Sequence, residues 1–256
     1  MLGHALTARQ LLVMGMSAFG FEALSKVEWC SEEVARCLGH GNHHMLLDEA
    51  KRAELRSTIG STVHALIVSG LGAWVFFWPE RAIWDEENSK PVLFGESPRA
   101  MLAFAIASGY FLWDIKFCLT EQKFNPGFTL HACLCFLVYL FGQYPFLNYH
   151  GSFFLLFEAS TLFMNARKFL LIMGQTNHPL LPLMSQLFAI TFFLVRIVGG
   201  ITVSTSFFRA VLKLLQDGTA HSRLICYYYL SSNLALNGLN LFWFAQILRS
   251  IFKRRK

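Results

Sequence analysis

A glutamate stands in the middle of a long apolar run, FFLLFEASTLFMNARKFLLIM, from Phe153 to Met173. An ionised acid at mid-bilayer costs about 3 kcal/mol or more, so Glu158 requires a partner, a proton or a water-filled cavity. Four further groups share this predicament: His64 in HALIV, Asp114 in GYFLWD, His131 in LHACLCF and Arg196 in FFLVRIVGG. Their chemistry is limited to a few roles. His131 with Asp114 or Glu158 can supply a base and the group that orients it, as acyl transfer requires alongside an oxyanion stabiliser. A neutral imidazole in a cavity can equally hydrogen-bond a lipid headgroup. Arg196 demands a buried counter-charge, for which Glu158 and then Asp114 are the available carboxylates, while Gly199 and Gly200 allow a second backbone to approach.

The elements that position these groups read as helices. At about 100° per residue, Glu158, Thr161 and Asn165 fall on one face of the Phe153–Met173 helix and form an inward polar stripe. Arg167 falls nearly opposite, which sends it to the membrane interface or to a neighbouring helix. A short apolar run, Leu11 to Leu24, comes first. It reads as a cleaved signal peptide or a retained helix, and Glu22 with the lack of a small-residue cleavage site favours the helix. The second span is expected over Ser57 to Trp78, with Ser57, Ser61 and His64 on one face, and a polar loop from Pro79 to about Arg99 follows. A third span covers Ala100 to Leu119, and a fourth runs from Phe128 to about Phe146 with His131, Cys135 and Gly142 inward. Asn148 to Ser152 is expected to be a tight hairpin into the glutamate-bearing helix. The last two spans are Leu183 to about Phe208 and Leu224 to Phe252, the latter with Asn233, Asn237 and Asn240 on one face.

Composition agrees with this all-α, polytopic membrane reading of about seven transmembrane helices. The 256 residues are 54% hydrophobic with 26 Phe and only 15% charged, and the mean hydropathy is +0.43. The formal charge of +6 gathers at Arg249 and Lys253 to Lys256, beside the last apolar run. That is a positive-inside signal rather than a nucleic-acid footprint, so no nucleic-acid partner is expected. It sets the C-terminus in the cytosol and, with seven spans, the N-terminus in the lumen. Cys118, Cys133, Cys135 and Cys226 lie in or beside apolar runs and act as small hydrophobes, so no disulfide framework is indicated. Cys30, Cys37, His40, His43, His44 and Asp48 invite a metal reading, but C-x6-C is too long for common zinc hooks, so no metal is expected. No phosphate loop, no H-E-x-x-H and no G-x-S-x-G occurs, and no cofactor is expected. Neither an inverted repeat nor a discontinuous pair of helices of the transporter kind is apparent.

Taken together and in order, HALIV at His64, GYFLWD ending in Asp114, the single His131, EASTLFMNAR from Glu158 to Arg167, and FFLVRI at Arg196 resemble the TLC-domain membrane proteins, whose members include ceramide synthases. The resemblance implies a six-helix TLC core over residues 57–252 around a polar-lined cavity. An N-terminal helix and charged loop (1–56) precede it and a basic tail (253–256) follows. It also implies residence in the endoplasmic reticulum or a related endomembrane and a role in lipid handling. Ceramide synthases carry a His-His pair in the helix corresponding to His131, whereas this chain has His131-Ala132. The expected function is therefore lipid binding or lipid homeostasis, with His64, Asp114, Glu158, Asn165, Arg167 and Arg196 lining the cavity and a membrane phospholipid or sphingolipid as partner. The alternative is an acyl-CoA-dependent acyltransferase with His131 as base or acyl carrier. Convergence of His131, Asp114 and Glu158 on one cavity discriminates between them.

Overall fold

The computed structural model describes residues 6–27, 48–121 and 124–253. Within them the chain is helical apart from one small ribbon. The helices are α1 (Ala8–Lys26), α2 (Glu49–Phe77), α3 (Pro98–Thr120), α4 (Pro126–Phe141), α5 (Asn148–Leu155), α6 (Glu158–Ile172), α7 (Leu180–Thr191), a π-helix (Phe192–Gly199), α8 (Gly200–Gln216) and α9 (Arg223–Lys253). Among the described residues, three stretches are long and apolar enough to cross a membrane: Glu49–Phe77, Pro98–Thr120 and the continuous Leu180–Gln216. Pro126–Phe141 is a shorter apolar helix.

Local chemistry sets the starts. Thr7 and Gln10 form a reciprocal capping box on α1, and the Asp48 side chain accepts from Lys51 N at 2.8 Å to open α2. The same device opens α3 and α4: a capping side chain, Ser97 or Asn125, followed by proline at the first helical position, where its missing N–H has no intrahelical partner to lose. Asp48 is therefore a helix cap. The other members of the Cys/His group considered for a metal lie outside the described residues.

α3 is the central post. Ala100, Ala103, Ala107 and Ser108 are fully buried on it, and such small residues let neighbouring backbones approach. Phe21 from α1, Val68 and Val75 from α2, and Cys135 and Tyr139 from α4 join the core around Phe104, Tyr110, Phe111 and Trp113. A second core joins Phe146, Phe207, Val211, Cys226 and Tyr229 at the opposite end of α8 and α9. Outward positions such as Leu66, Leu112, Leu194, Ile201 and Phe242 are exposed, as a lipid-facing surface requires.

Several boundaries differ from expectation. α2 begins at Glu49, eight residues before the expected Ser57. The fourth span ends at Phe141 instead of Phe146, and Gly142 caps it. The expected hairpin at Asn148 to Ser152 is instead helical and forms most of α5, entered through Leu147 in the left-handed region (φ 59°). The Phe153–Met173 helix is broken at Leu156–Phe157, a discontinuity the sequence reading did not contain. At the joint, Leu156 N and Phe157 N bond only three residues back, to Phe153 O (2.9 Å) and Phe154 O (3.3 Å). The Pro79–Arg99 loop carries a two-residue antiparallel ribbon, β1 (Trp84–Asp85) with β2 (Lys90–Pro91).

Candidate functional site: two chambers sharing a charged wall

Because α6 starts afresh after the joint, Glu158 is its first residue, and the Phe157 carbonyl accepts from Ser160 N at 3.3 Å and Ser160 Oγ at 2.9 Å. Arg196 adds a third donor to it. The eight-residue π-helix carries this arginine inward, where it is 5% exposed; such segments are frequent at functional positions. Its Nε donates to Phe157 O and to Ser160 Oγ, each at 3.0 Å. Nη1 donates to Asn240 Oδ1 at 3.3 Å, and Nη2 donates to Thr161 Oγ1 at 3.1 Å and Glu158 Oε1 at 3.4 Å. The rings of Phe157 and Phe192 flank the guanidinium at 5.7 and 5.3 Å. The expected Arg196–Glu158 pair is thus present, inside a larger set of acceptors that ties the π-helix to α6 and α9.

Asn165, two turns along α6 from Glu158, clamps α2: its Nδ2 lies 3.1 Å from both Ser61 Oγ and Thr62 Oγ1, and 3.4 Å from Thr58 O. On α9, Asn237 donates to Ser204 Oγ at 3.0 Å and Asn233 Oδ1 at 2.9 Å. The Asn233/Asn237/Asn240 face therefore serves α8 and the π-helix.

Two chambers meet at this cluster. One, of about 260 Å³, is lined by polar groups that include Ser57, Ser61, Asp114, Thr161, Asn165 and Lys168, with an aromatic side of Tyr110, Phe111, Phe128 and Trp243. The other, of about 80 Å³, is lined chiefly by apolar and aromatic residues such as Phe104, Val138, Phe146, Phe154, Leu155 and Phe207. His131, Glu158, Arg196 and Phe111 line both. His131 is held by contacts from the edge, with Phe111 at 5.7 Å and Trp243 at 5.6 Å between centroids, and Cys135 Sγ lies 3.8 Å from each ring nitrogen. Among the described residues the Asp114 side chain has one hydrogen-bond contact, with the Cys118 thiol at 3.9 Å. His131, Asp114 and Glu158 therefore line one chamber, but among the described residues no hydrogen bond links His131 to either carboxylate.

Two expected cavity residues stand elsewhere. His64 lines neither chamber. It is fully buried, stacked on Tyr110 at 3.7 Å and edged by Phe111 and Phe21 at 5.3 and 6.1 Å. Both ring nitrogens lack a hydrogen-bond partner among the described residues. Arg167 also lies off both linings, with Nε donating to Ser185 Oγ of α7 at 3.2 Å, the neighbouring-helix option of the sequence reading. Conversely, Trp243 was not singled out from sequence. Its position three residues after Asn240 on the polar face of α9 was the available signal.

A helical bundle with apolar outward faces, interior charge and chambers between its helices defines a polytopic membrane protein. The TLC-domain family model matches residues 54–249, and the chain belongs to the TLC-domain family. Among curated relatives, an uncharacterised TLC domain-containing protein of Schizosaccharomyces pombe is 27% identical over 96% of this chain and 80% of its own length. Topoisomerase I damage affected protein 4 of Saccharomyces cerevisiae is 30% identical over 64% of this chain and 60% of its own. Human TLC domain-containing protein 4 is 33% identical over 46% of this chain and 44% of its own.

Proposed function

We propose that this protein binds a lipid of the endoplasmic reticulum or a related endomembrane and serves lipid homeostasis. The carrying observation is the junction itself: a polar chamber and an apolar chamber share one wall, made by His131, Glu158, Arg196 and Phe111. An amphiphile has the same division, with a headgroup that needs polar partners and a chain that needs none. A polar-lined, membrane-embedded site of this kind is where intramembrane ionisable residues are expected to act.

The acyltransferase reading draws support from His131, Asp114 and Glu158 lining a single chamber. Against it stands Ala132, fully buried in the apolar core, at the position where ceramide synthases carry the second imidazole. The two readings separate on one residue. Purified protein in membranes, given labelled acyl-CoA with sphingoid or lysophospholipid acceptors, is expected to yield no product above an empty-membrane control, while His131→Ala weakens lipid co-purification seen by native mass spectrometry. Product formation that disappears in His131→Ala overturns the binding reading in favour of acyl transfer.

The proposed topology has seven crossings, α1, α2, α3, α4, the broken α5–α6, the continuous α7–α8 and α9, with a lumenal N-terminus and the basic C-terminus in the cytosol. Glycosylation-site tags are expected to report the two termini on opposite sides. Tags on the same side remove the seven-crossing arrangement.

A further inference from the structure

The polar chamber is lined by two carboxylates, Asp114 and Glu158, and two cations, Lys168 and Arg196, and of these four Asp114 is the one with no ion pair among the described residues. Glu158 is paired with Arg196 at 3.4 Å, and Lys168 is paired with Glu54 at 3.3 Å. Asp114 forms no ion pair among the described residues, and the hydrogen-bond contact its side chain makes there is with the Cys118 thiol. A carboxylate at this depth is stabilised by a positive charge brought to it.

The surroundings indicate which kind of positive charge. Tyr110 and Phe111 precede Asp114 by four and three positions, so all three lie along one side of α3. From there the rings continue without a gap: Tyr110 to Phe111 at 5.2 Å, Phe111 to His131 at 5.7 Å, His131 to Trp243 at 5.6 Å, and Trp243 to Phe128 at 5.6 Å. A primary ammonium brings three N–H donors and needs an acceptor for each. Two hydroxyls of the chamber already accept, Ser61 Oγ from Asn165 and Thr161 Oγ1 from Arg196. A trimethylammonium group brings no donor, and aromatic faces attract it.

We infer that the polar chamber binds the quaternary ammonium of a choline-bearing lipid, with Asp114 as counter-charge and Tyr110, Phe111 and Trp243 as the aromatic wall. The inference rests on the lipid-binding reading above and names its headgroup. A chamber of about 260 Å³ is many times the roughly 10–15 Å³ that one water needs on the same measure, so it has room for such a group.

The test is a competition on the full chain in detergent. Phosphatidylcholine, phosphatidylethanolamine and phosphatidic acid with identical acyl chains are offered in equal amounts, and the bound lipid is read by native mass spectrometry. Phosphatidylcholine is expected to exceed each competitor by on the order of tenfold, the scale of one desolvated cation–π contact. Asp114→Asn and Trp243→Leu each bring that ratio close to one, whereas Trp243→Phe, which keeps a ring, preserves part of it. Should Asp114→Asn fail to fold, the two tryptophan variants still decide. Choline chloride is expected to displace the bound lipid where sodium chloride at equal ionic strength does not, which assigns the contact to the headgroup and not to general screening. A wild-type ratio near one, a preference for either competitor, equal displacement by both salts, or a ratio unmoved by the variants overturns the headgroup assignment while bound lipid leaves the binding reading standing. If no lipid is retained at all, both fall.

Discussion

Arg196→Gln is expected to lower the thermal midpoint of the detergent-solubilised protein more than any other single polar substitution in the two chambers. The change leaves Glu158, whose side chain is 12% exposed, without its cation, and breaking a buried pair from one side costs about 3 to 5 kcal/mol. It also removes the hydrogen bonds that the guanidinium donates to Phe157 O, Ser160 Oγ, Thr161 Oγ1 and Asn240 Oδ1. Glu158→Gln is expected to be milder, because the arginine then keeps those four acceptors. The double variant removes both charges and should recover part of the loss. Strict additivity of the two single changes in midpoint would contradict direct coupling between the pair. An Arg196→Gln no worse than Glu158→Gln would deny the arginine its structural role at the α5–α6 joint.

Gly109→Leu carries the second large effect, and it acts on α1. A Cβ at Gly109 would meet the Met14 carbonyl oxygen, the Ser17 Cβ at 2.6 Å and the Ala18 N at 2.9 Å. Two of these are backbone atoms that no rotamer change can move. This contact sits in the middle of the α1–α3 interface, flanked by Ser17 Oγ donating to Ile106 O at 2.8 Å and by the Lys116–Glu22 ion pair at 2.6 Å. Overpacking typically costs about 1 to 3 kcal/mol, and a leucine facing backbone on the partner helix belongs at the upper end. The expected result is a lower midpoint together with loss of α1 docking. Docking is read as the yield of a disulfide between cysteines introduced at Ser17 and Ile106. Gly109→Ala should fall between the two. Unchanged cross-linking in Gly109→Leu would mean that α1 is held by contacts other than this one. Because Phe21 of α1 also closes over His64 and Tyr110, release of α1 is further expected to open the box around His64.

Much was legible in one dimension because burial of charge in an apolar run is costly wherever the run folds. Glu158, Asp114, His131 and Arg196 declared themselves by that cost alone, and Arg196 with Glu158 followed from charge balance. Ser97-Pro98 and Asn125-Pro126 likewise mark the starts of α3 and α4 by capping chemistry that acts within a few residues. The break at Leu156–Phe157 was not legible, since leucine and phenylalanine continue a helical pattern as well as any apolar residue. The Phe157 carbonyl there accepts from Arg196, thirty-nine positions later in the chain. The same holds for Asn148 to Ser152, whose helical form depends on the left-handed Leu147 and on Leu147 N bonding to Leu93 O at 2.7 Å. His64 shows the limit most plainly. A histidine on the polar side of an apolar helix reads the same whether it greets a ligand or stacks in a core, and only the arrival of Phe21 and Tyr110 from two other helices decided for the core. Sequence thus determined which groups must be compensated inside the membrane, a matter of each residue and its solvent. Tertiary structure decided which partner compensates each and which walls the chambers share, because those answers are distances between helices far apart in the chain.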